Sequence, residues 1–126
     1  MVDALERIHE ALAEDGVVID TQPISAHPPV VANGSSLGAL DMSDWAETIV
    51  AVDARMVEAI GRGLFSVAVD MQIVVTDVYD DGREFVSVAS EWMGTKLPAA
   101  LERRAVAESG PVQIHQDVRL RVLTRC

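Results

Sequence analysis

The chain has 126 residues, of which 49% are apolar and 24% are charged, a balance typical of one globular domain and not of a disordered segment. Its formal net charge is −10. So acidic a surface repels phosphate backbones and anionic lipid, and we therefore expect no binding to nucleic acid or to a membrane. Cys126 is the single cysteine; with no disulfide partner and no apolar leader segment, the chain is predicted to be cytoplasmic.

The first elements are predicted by apolar spacing and by turn residues. Leu5, Ile8 and Leu12 recur at helical spacing and indicate an amphipathic helix that ends near Asp15-Gly16. The apolar run 17–19 follows without alternation, which is typical of an interior strand covered by helices on both sides. After Pro23 the chain turns polar, and Asn33-Gly34 predicts a tight hairpin.

A long helix and a long strand are predicted next. Asp44 and Glu47 resemble a capping box, and the apolar stripe behind them ends at Gly61. Residues 65–79 alternate as a strand, with one apolar side and one polar side. The apolar side is Val67, Val69, Met71, Ile73 and Val75, and the polar side is Asp70, Gln72 and Thr76.

The last third of the chain predicts two short helices and a strand. Asp81 and Glu84 cap the first helix, and Pro98 begins the second. The final strand alternates, and we expect one buried face and one wet face. The apolar members are Val112, Ile114, Val118, Leu120 and Val122, and the polar members are His115, Asp117, Arg119 and Arg121.

The order of elements is therefore α-β-(ββ)-α-β-α-α-β. It predicts a single α/β domain over residues 1–126, in which helices pack on a sheet of mixed strand directions.

The stretch "LERIHEALAEDGVVIDTQP" resembles the helix-turn-strand of class I S-adenosylmethionine-dependent methyltransferases. The matching positions are Leu5, Ile8, His9, Leu12, Gly16 and Val17–Ile19. Glu14-Asp15 depart from the family, which usually has Pro-Gly or a basic residue there. The helix 44–60 and the strands 65–79 and 112–123 are similar to the family's last helix and closing antiparallel pair. The resemblance implies a partial Rossmann-like fold, the C-terminal half of such an enzyme.

The half of the methyltransferase domain that binds the methyl donor has no counterpart in this sequence. That half uses a glycine-rich turn from a strand into a helix, because glycines let the backbone approach the ligand. The one Gly-x-Gly here, Gly61-Arg62-Gly63, follows a helix and precedes a strand, so we interpret it as a helix stop. We therefore expect no S-adenosylmethionine and no other cofactor.

The other candidate motifs assign no catalytic residue and favour a protein without enzymatic activity. His27-Pro28-Pro29-Val30 resembles the Asn/Asp-Pro-Pro-Tyr/Phe motif of amino-group methyltransferases, but it lacks the oxygen acceptor and the aromatic ring. It indicates a stiff loop. His9, His27 and His115 lie on separate elements, so no metal site is predicted.

Two kinds of function remain open. A half sheet leaves a strand edge and apolar faces uncovered, which favours a homo-oligomer, most simply a dimer. A chain that instead docks on a separate methyltransferase, or one shortened by a gene-start error, would show the same pattern. The alternative is a small-molecule binding protein or enzyme, because open α/β sheets bind ligands at the carboxyl ends of strands. Its candidate residues, at the end of strand 17–21, in loop 22–36 and on the following helix, are Asp20, Thr21, Gln22, His27 and Trp45.

Overall fold

A computed structural model describes residues 2–126, with side chains from Ala4 onwards. Its helices and strands follow the predicted order and form a mixed α/β fold with antiparallel strand pairs. The elements are α1 (Val2–Ala11), β1 (Val17–Pro23), β2 (Pro29–Ala32), β3 (Ser35–Ala39), α2 (Ser43–Gly61), β4 (Phe65–Tyr79), α3 (Gly82–Ala89), α4 (Ala99–Val106) and β5 (Val112–Arg125).

The chain divides into two compact units. The first unit comprises Met1–Pro23, Glu47–Ile73 and Val118–Cys126, and the second comprises Ile24–Ala46 and Val74–Asp117. Each unit has its own cluster of buried apolar side chains. The elements α2, β4 and β5 contribute residues to both units.

The first unit contains three strands with β5 in the middle. β1 pairs antiparallel with β5, from Val17 opposite Thr124 to Pro23 opposite Val118. β4 also pairs with β5, and because β1 occupies one edge of this stretch, β4 lies along the other. α1 and α2 pack on one face of these strands. The core of the unit is Leu5, Met56, Ala59, Phe65 and Leu123.

The expected mixture of strand directions is not found among the described strand pairs. Ser66 contacts Cys126 and Asp70 contacts Arg119, so residue numbers rise along β4 as they fall along β5. β4 and β1 therefore run in the same direction but are separated by β5. Each adjacent pair in this unit is antiparallel for that reason.

The prediction that the strand at 17–19 is interior is wrong for this chain. Within residues 2–126, β1 pairs only with β5, which leaves its other edge open. Val18 packs against the core of the first unit, whereas Val17 and Ile19 point to the opposite face and Ile19 is 65% exposed. Apolar residues on both faces are present as predicted, but the chain covers only one of those faces.

The predicted burial pattern of β5 holds in its first half and reverses in its second. In the second unit, Val112 and Ile114 are buried as expected. In the first unit, Arg121 and Leu123 are the buried residues, although Arg121 was expected on the wet face. The apolar residues of the predicted buried face are here only half-buried; they are Val118, Leu120 and Val122. Arg121 and Leu123 share the side of β5 that faces α1 and α2, where Leu123 joins the apolar core and Arg121 is paired with carboxylates.

The second unit contains the predicted hairpin. β2 and β3 pair antiparallel around Asn33-Gly34, whose φ angles of 52° and 75° are the left-handed values that a tight hairpin turn requires. On its other edge β2 pairs with the first half of β5, with Val30 opposite Ile114. The Asn-Gly prediction is confirmed.

The starts of two helices test the capping predictions. Asp81 accepts a hydrogen bond from the backbone N–H of Glu84 at 2.8 Å, and Glu84 Oε2 accepts from the N–H of Asp80 at 2.7 Å. The first bond confirms that Asp81 caps α3, whereas in the second Glu84 reaches the N–H one residue before the cap and not that of the cap itself. α2 begins at Ser43, so Asp44 lies in its first turn and is not the capping residue.

Gly82 allows α3 and α4 to approach each other closely. It is buried, and a Cβ atom at this position would lie 1.5 Å from the carbonyl oxygen of Ala105. Its backbone N–H donates to the carbonyl of Glu108 at 3.0 Å. A methyl group at residue 82 therefore requires the two helices to separate.

We expect Gly82→Ala to lower the free energy of unfolding by about 3 kcal/mol, because overpacking against backbone cannot be relieved by a side-chain rotation. Urea denaturation measures this change. Gly110→Ala is the control, since no atom lies within 4 Å of a Cβ at residue 110. Equal unfolding midpoints for the two variants would contradict the close packing of α3 on α4.

Within residues 2–126, none of the helices combines the length and the apolar character needed to span a membrane.

Candidate functional site

Asp20, the central predicted ligand residue, is engaged in an internal ion pair. Its carboxylate accepts hydrogen bonds from Arg121 Nε at 3.1 Å and from Arg121 Nη2 at 2.9 Å. Gln22 Nε2 donates to the same carboxylate at 3.1 Å, and only 15% of the Asp20 side chain is exposed. These contacts turn Asp20 toward the helix-covered side of the strands, so its oxygens are already bonded.

The other predicted residues are distributed over both units. In the first unit, Gln22 is 8% exposed, and Thr21 is exposed on the opposite face, beside Leu120. In the second unit, His27 is exposed in the loop before β2, and Trp45 is 40% exposed in the first turn of α2. The neighbours Asp20 and Gln22 are in contact, and Thr21 points away from them.

Arg121 is the centre of a network that the sequence did not predict. It is 2% exposed, and its second terminal nitrogen, Nη1, lies 2.9 Å from Asp53 Oδ1 on α2. Arg119 contacts the same Asp53 oxygen at 3.5 Å and binds Asp70 on β4. A buried guanidinium needs such carboxylate partners, because removing an unpaired charge from water is costly. The network joins β1, β4 and β5 to α2.

The signal for this network was present in the sequence as four charged side chains within strands, Asp20, Asp70, Arg119 and Arg121. Asp20 follows three apolar residues, and Arg119 and Arg121 are two positions apart and therefore on one side of β5. Their residue types suit bidentate ion pairs. The partner on α2, Asp53, is one of four acidic residues on that helix, and only folding decides which of them meets the arginines.

Asp70 and Arg119 form the exposed end of the network. Arg119 Nε donates to Asp70 Oδ1 at 2.9 Å and Nη2 donates to Oδ2 at 2.7 Å. These hydrogen bonds lower the pKa of Asp70 and raise the pKa of Arg119; desolvation opposes both shifts, and charge attraction adds to them. Both groups are held in their charged forms.

The face of the first unit opposite α1 and α2 is apolar and uncovered. On β1, Val17 and Ile19 point to it. On β4, Val69 and Met71 flank the inward-pointing Asp70 and so point to the same side; both are exposed. We call this surface the bare face. Its members are Val17, Ile19 and Thr21 of β1, Val118, Leu120 and Val122 of β5, and Val69 and Met71 of β4.

The bare face carries no ionisable side chain among these members. Its centre is Leu120, which lies opposite Thr21 on β1 and next to the Arg119 that binds β4. The Thr21 hydroxyl is the polar side-chain group among these members, and the surface can be covered by another apolar surface. Contiguous exposed apolar patches of this kind mark interaction sites in soluble proteins.

A groove of about 430 Å³ lies in the second unit, beside the hairpin turn. None of the predicted ligand residues lines it; its walls are Val31, Asn33, Gly34, Pro111, Gln113 and His115. His115 Nδ1 lies 3.2 Å from Thr76 Oγ1. The polar groups of the groove are amides and one imidazole, without a carboxylate or a nucleophile. In residues 2–126 no group of His, Cys, Asp and Glu side chains has the arrangement of a metal site.

No protein-family model matches the chain, and no curated protein is significantly similar to it in sequence. The class of protein is therefore defined by the fold, which is mixed α/β with antiparallel strands. The bare face of the first unit is a contiguous apolar surface of this fold.

We expect Arg121→Met to lower the free energy of unfolding by about 3 kcal/mol, because it leaves the largely buried Asp20 without its cation. The double variant Asp20→Asn/Arg121→Met should recover part of this loss, since the unpaired charge is then removed. Urea denaturation at neutral pH measures both.

Arg55→Met is the control for this prediction, because Arg55 makes only an exposed pair with Glu58 at 3.4 Å, and such pairs contribute little. An Arg121→Met chain as stable as Arg55→Met, or a double variant no more stable than the single one, would show that the buried pair is not needed.

We expect Asp70 to make the stability depend on pH in acid. Its pKa in the folded state lies below the ordinary 3.8, so the unfolded chain binds the proton more readily. The stabilisation is therefore complete well above pH 3.8 and is lost as the pH falls through the lowered value. The gap between the urea midpoints of wild type and Asp70→Asn should be largest at neutral pH and should close on acidification.

Asp77→Asn serves as the matched control, because Asp77 is an exposed aspartate on the same strand. A gap for Asp70→Asn that stays constant between pH 7 and pH 3 would contradict the effect of Arg119 on Asp70.

Proposed function

We propose that this chain is a non-catalytic, methyltransferase-like assembly protein, which associates with itself and carries no site of its own for a methyl donor. The observation that supports this proposal is the bare face. Its apolar side chains on β1 and β4 remain exposed and those on β5 are half-buried, whereas the opposite side of the same strands is covered by α1 and α2. A strand layer of this kind is normally covered on both apolar faces.

The cost of leaving this face in water favours association. Ile19 is 65% exposed and Val17 is 48% exposed, and Val69 and Met71 add similar areas. Burying the exposed halves of these four side chains would contribute about 4 kcal/mol to an interface. This contribution is available to any partner that presents a complementary apolar surface.

The open edge of β1 points to the same conclusion. Edge strands of monomeric proteins usually carry charges, prolines or bulges that prevent pairing with another chain. In β1 the only charged side chain, Asp20, turns inward to Arg121, and the only proline, Pro23, stands at the strand's end. The segment 17–19 is left without such protection.

The arrangement of the first unit supports the likeness to the end of a class I methyltransferase. α1 leads through Gly16 into β1, and β4 and β5 are adjacent antiparallel strands. These features match the leader helix, the apolar strand and the closing antiparallel pair that the resemblance implies. No sequence relative carries the assignment, so it rests on this order of elements.

Two features support the absence of a donor site in the described chain. Gly61 and Gly63 lie between the end of α2 and the start of β4, and Gly63 has a φ of 79°. This is a helix-to-strand turn, and donor binding needs a strand-to-helix turn. Asp20, the acidic residue at the end of a strand, is occupied by Arg121 and Gln22.

We expect the purified chain to have a mass of about twice 13.6 kDa by light scattering at micromolar concentration, because the bare face can be buried only by association. We also expect no thermal shift with S-adenosylmethionine or S-adenosylhomocysteine. An unrelated monomeric protein of similar mass is the control for the sizing.

A chain that stays monomeric up to 100 µM would contradict self-association. If such a monomer instead co-purifies with a separate methyltransferase, a regulatory subunit of that enzyme is favoured. A thermal shift with the donor that Thr21→Ala or His27→Ala abolishes would instead favour the small-ligand site predicted around Asp20, Gln22 and Trp45.

A further inference from the structure

We propose that the bare face is covered by the bare face of a second copy, so that two strand layers pack face to face around a two-fold axis near Leu120. This inference rests on the proposed self-association and names the surface through which it occurs. A two-fold interface uses the same patch on both subunits, so each residue need only fit the residues of its own patch.

Because the bare face has no ionisable side chain, the surface that covers it should also be uncharged. None of the side chains of the bare face is ionisable, although the whole chain carries a net charge of −10. A charged partner surface would lose its hydration here without gaining an ion pair. The bare face of another copy has no charge to desolvate, and it brings Val, Ile, Leu and Met side chains to the contact.

The size of the bare face is sufficient for a weak dimer. The exposed parts of its side chains amount to about 500 Å² per copy, so two copies bury about 1,000 Å², the lower limit for a specific interface. Interfaces at this lower limit belong to weak or transient complexes, so the dimer is to be measured over a range of chain concentrations. Two packed strand layers with alternating side chains are also a standard arrangement of protein cores.

The position of the axis follows from the strand order. β5 is the middle strand, with Ile19 and Thr21 on one side and Val69 and Met71 on the other. Leu120 is the central residue of β5 on this face. If the two copies bury as much of the face as its size allows, the two Leu120 side chains meet at the axis.

The interface is tested by placing a charge on it. Ile19→Lys should raise the dissociation constant of the dimer roughly 100-fold, because each copy would bury an unpaired ammonium group. Val57→Lys is the matched control: Val57 is 57% exposed on α2, outside the bare face, and its substitution adds the same charge. Sedimentation equilibrium measures both constants.

Val69→Lys provides a second charge on the same face, carried by a different strand. Ile19 and Val69 are both exposed in the single chain, so each variant should keep the urea midpoint of the isolated subunit. If one variant is destabilised, the other still tests the interface.

The position of the axis is tested by cross-linking. In a Cys126→Ser background, Leu120→Cys should be joined to its counterpart by a short bis-maleimide cross-linker, since facing strand layers lie about 10 Å apart, which is too far for a direct disulfide. Val57→Cys in the same background should stay unlinked.

Added salt should tighten the dimer, because it screens the repulsion between two acidic chains and weakens no ion pair in the contact.

The outcomes separate this inference from the proposed function. A wild-type chain without self-association overturns both. A dimer that survives Ile19→Lys and Val69→Lys, or that Val57→Lys dissociates, overturns the bare face as the interface but leaves self-association intact. Cross-linking through Val57→Cys and not through Leu120→Cys, or a dimer weakened by salt, also overturns this inference.

Discussion

The ion pair between Arg121 and Asp20 determines the arrangement of the first unit. Asp20 and Arg121 are opposite each other on β1 and β5, and Asp53 of α2 completes the pairing. Because side chains alternate along a strand, fixing Arg121 on the helix-covered side also fixes its neighbours on the other side. A slip of one residue would bury Leu120 under α2 and expose the arginine. The bare face is therefore a consequence of where this charge is buried.

The same ion pair gives Asp20 a structural role and makes it unavailable to a ligand. Asp20 and Gln22 would suit a polar ligand at a strand end, but their polar atoms already satisfy each other and Arg121. The apolar residues of the opposite face are exposed on β1 and β4 and half-buried on β5. What this unit offers to other molecules is thus an uncharged surface, and association with a similar surface is the function we infer from it.

The second unit depends on contacts of a different kind. Its hairpin closes over two residues at Asn33-Gly34, α3 is capped by Asp81, and α4 packs against Gly82 through the backbone of Ala105. Its core is apolar throughout the buried cluster. No ion pair decides which side of β2 or β5 is buried here, so Val112 and Ile114 follow the ordinary pattern of apolar residues inside.

The sequence by itself determined the order of helices and strands, the turn at Asn33-Gly34, the start of α3 at Asp81 and the helix end at Gly61. These features depend on residues only a few positions apart. Only the tertiary structure decided that β1 is an edge strand, that Arg121 is buried, and that Asp20 is its partner. Those outcomes depend on contacts between residues 20, 53 and 121. These residues are far apart in the sequence, so the free energy of their contacts cannot be read from any local pattern.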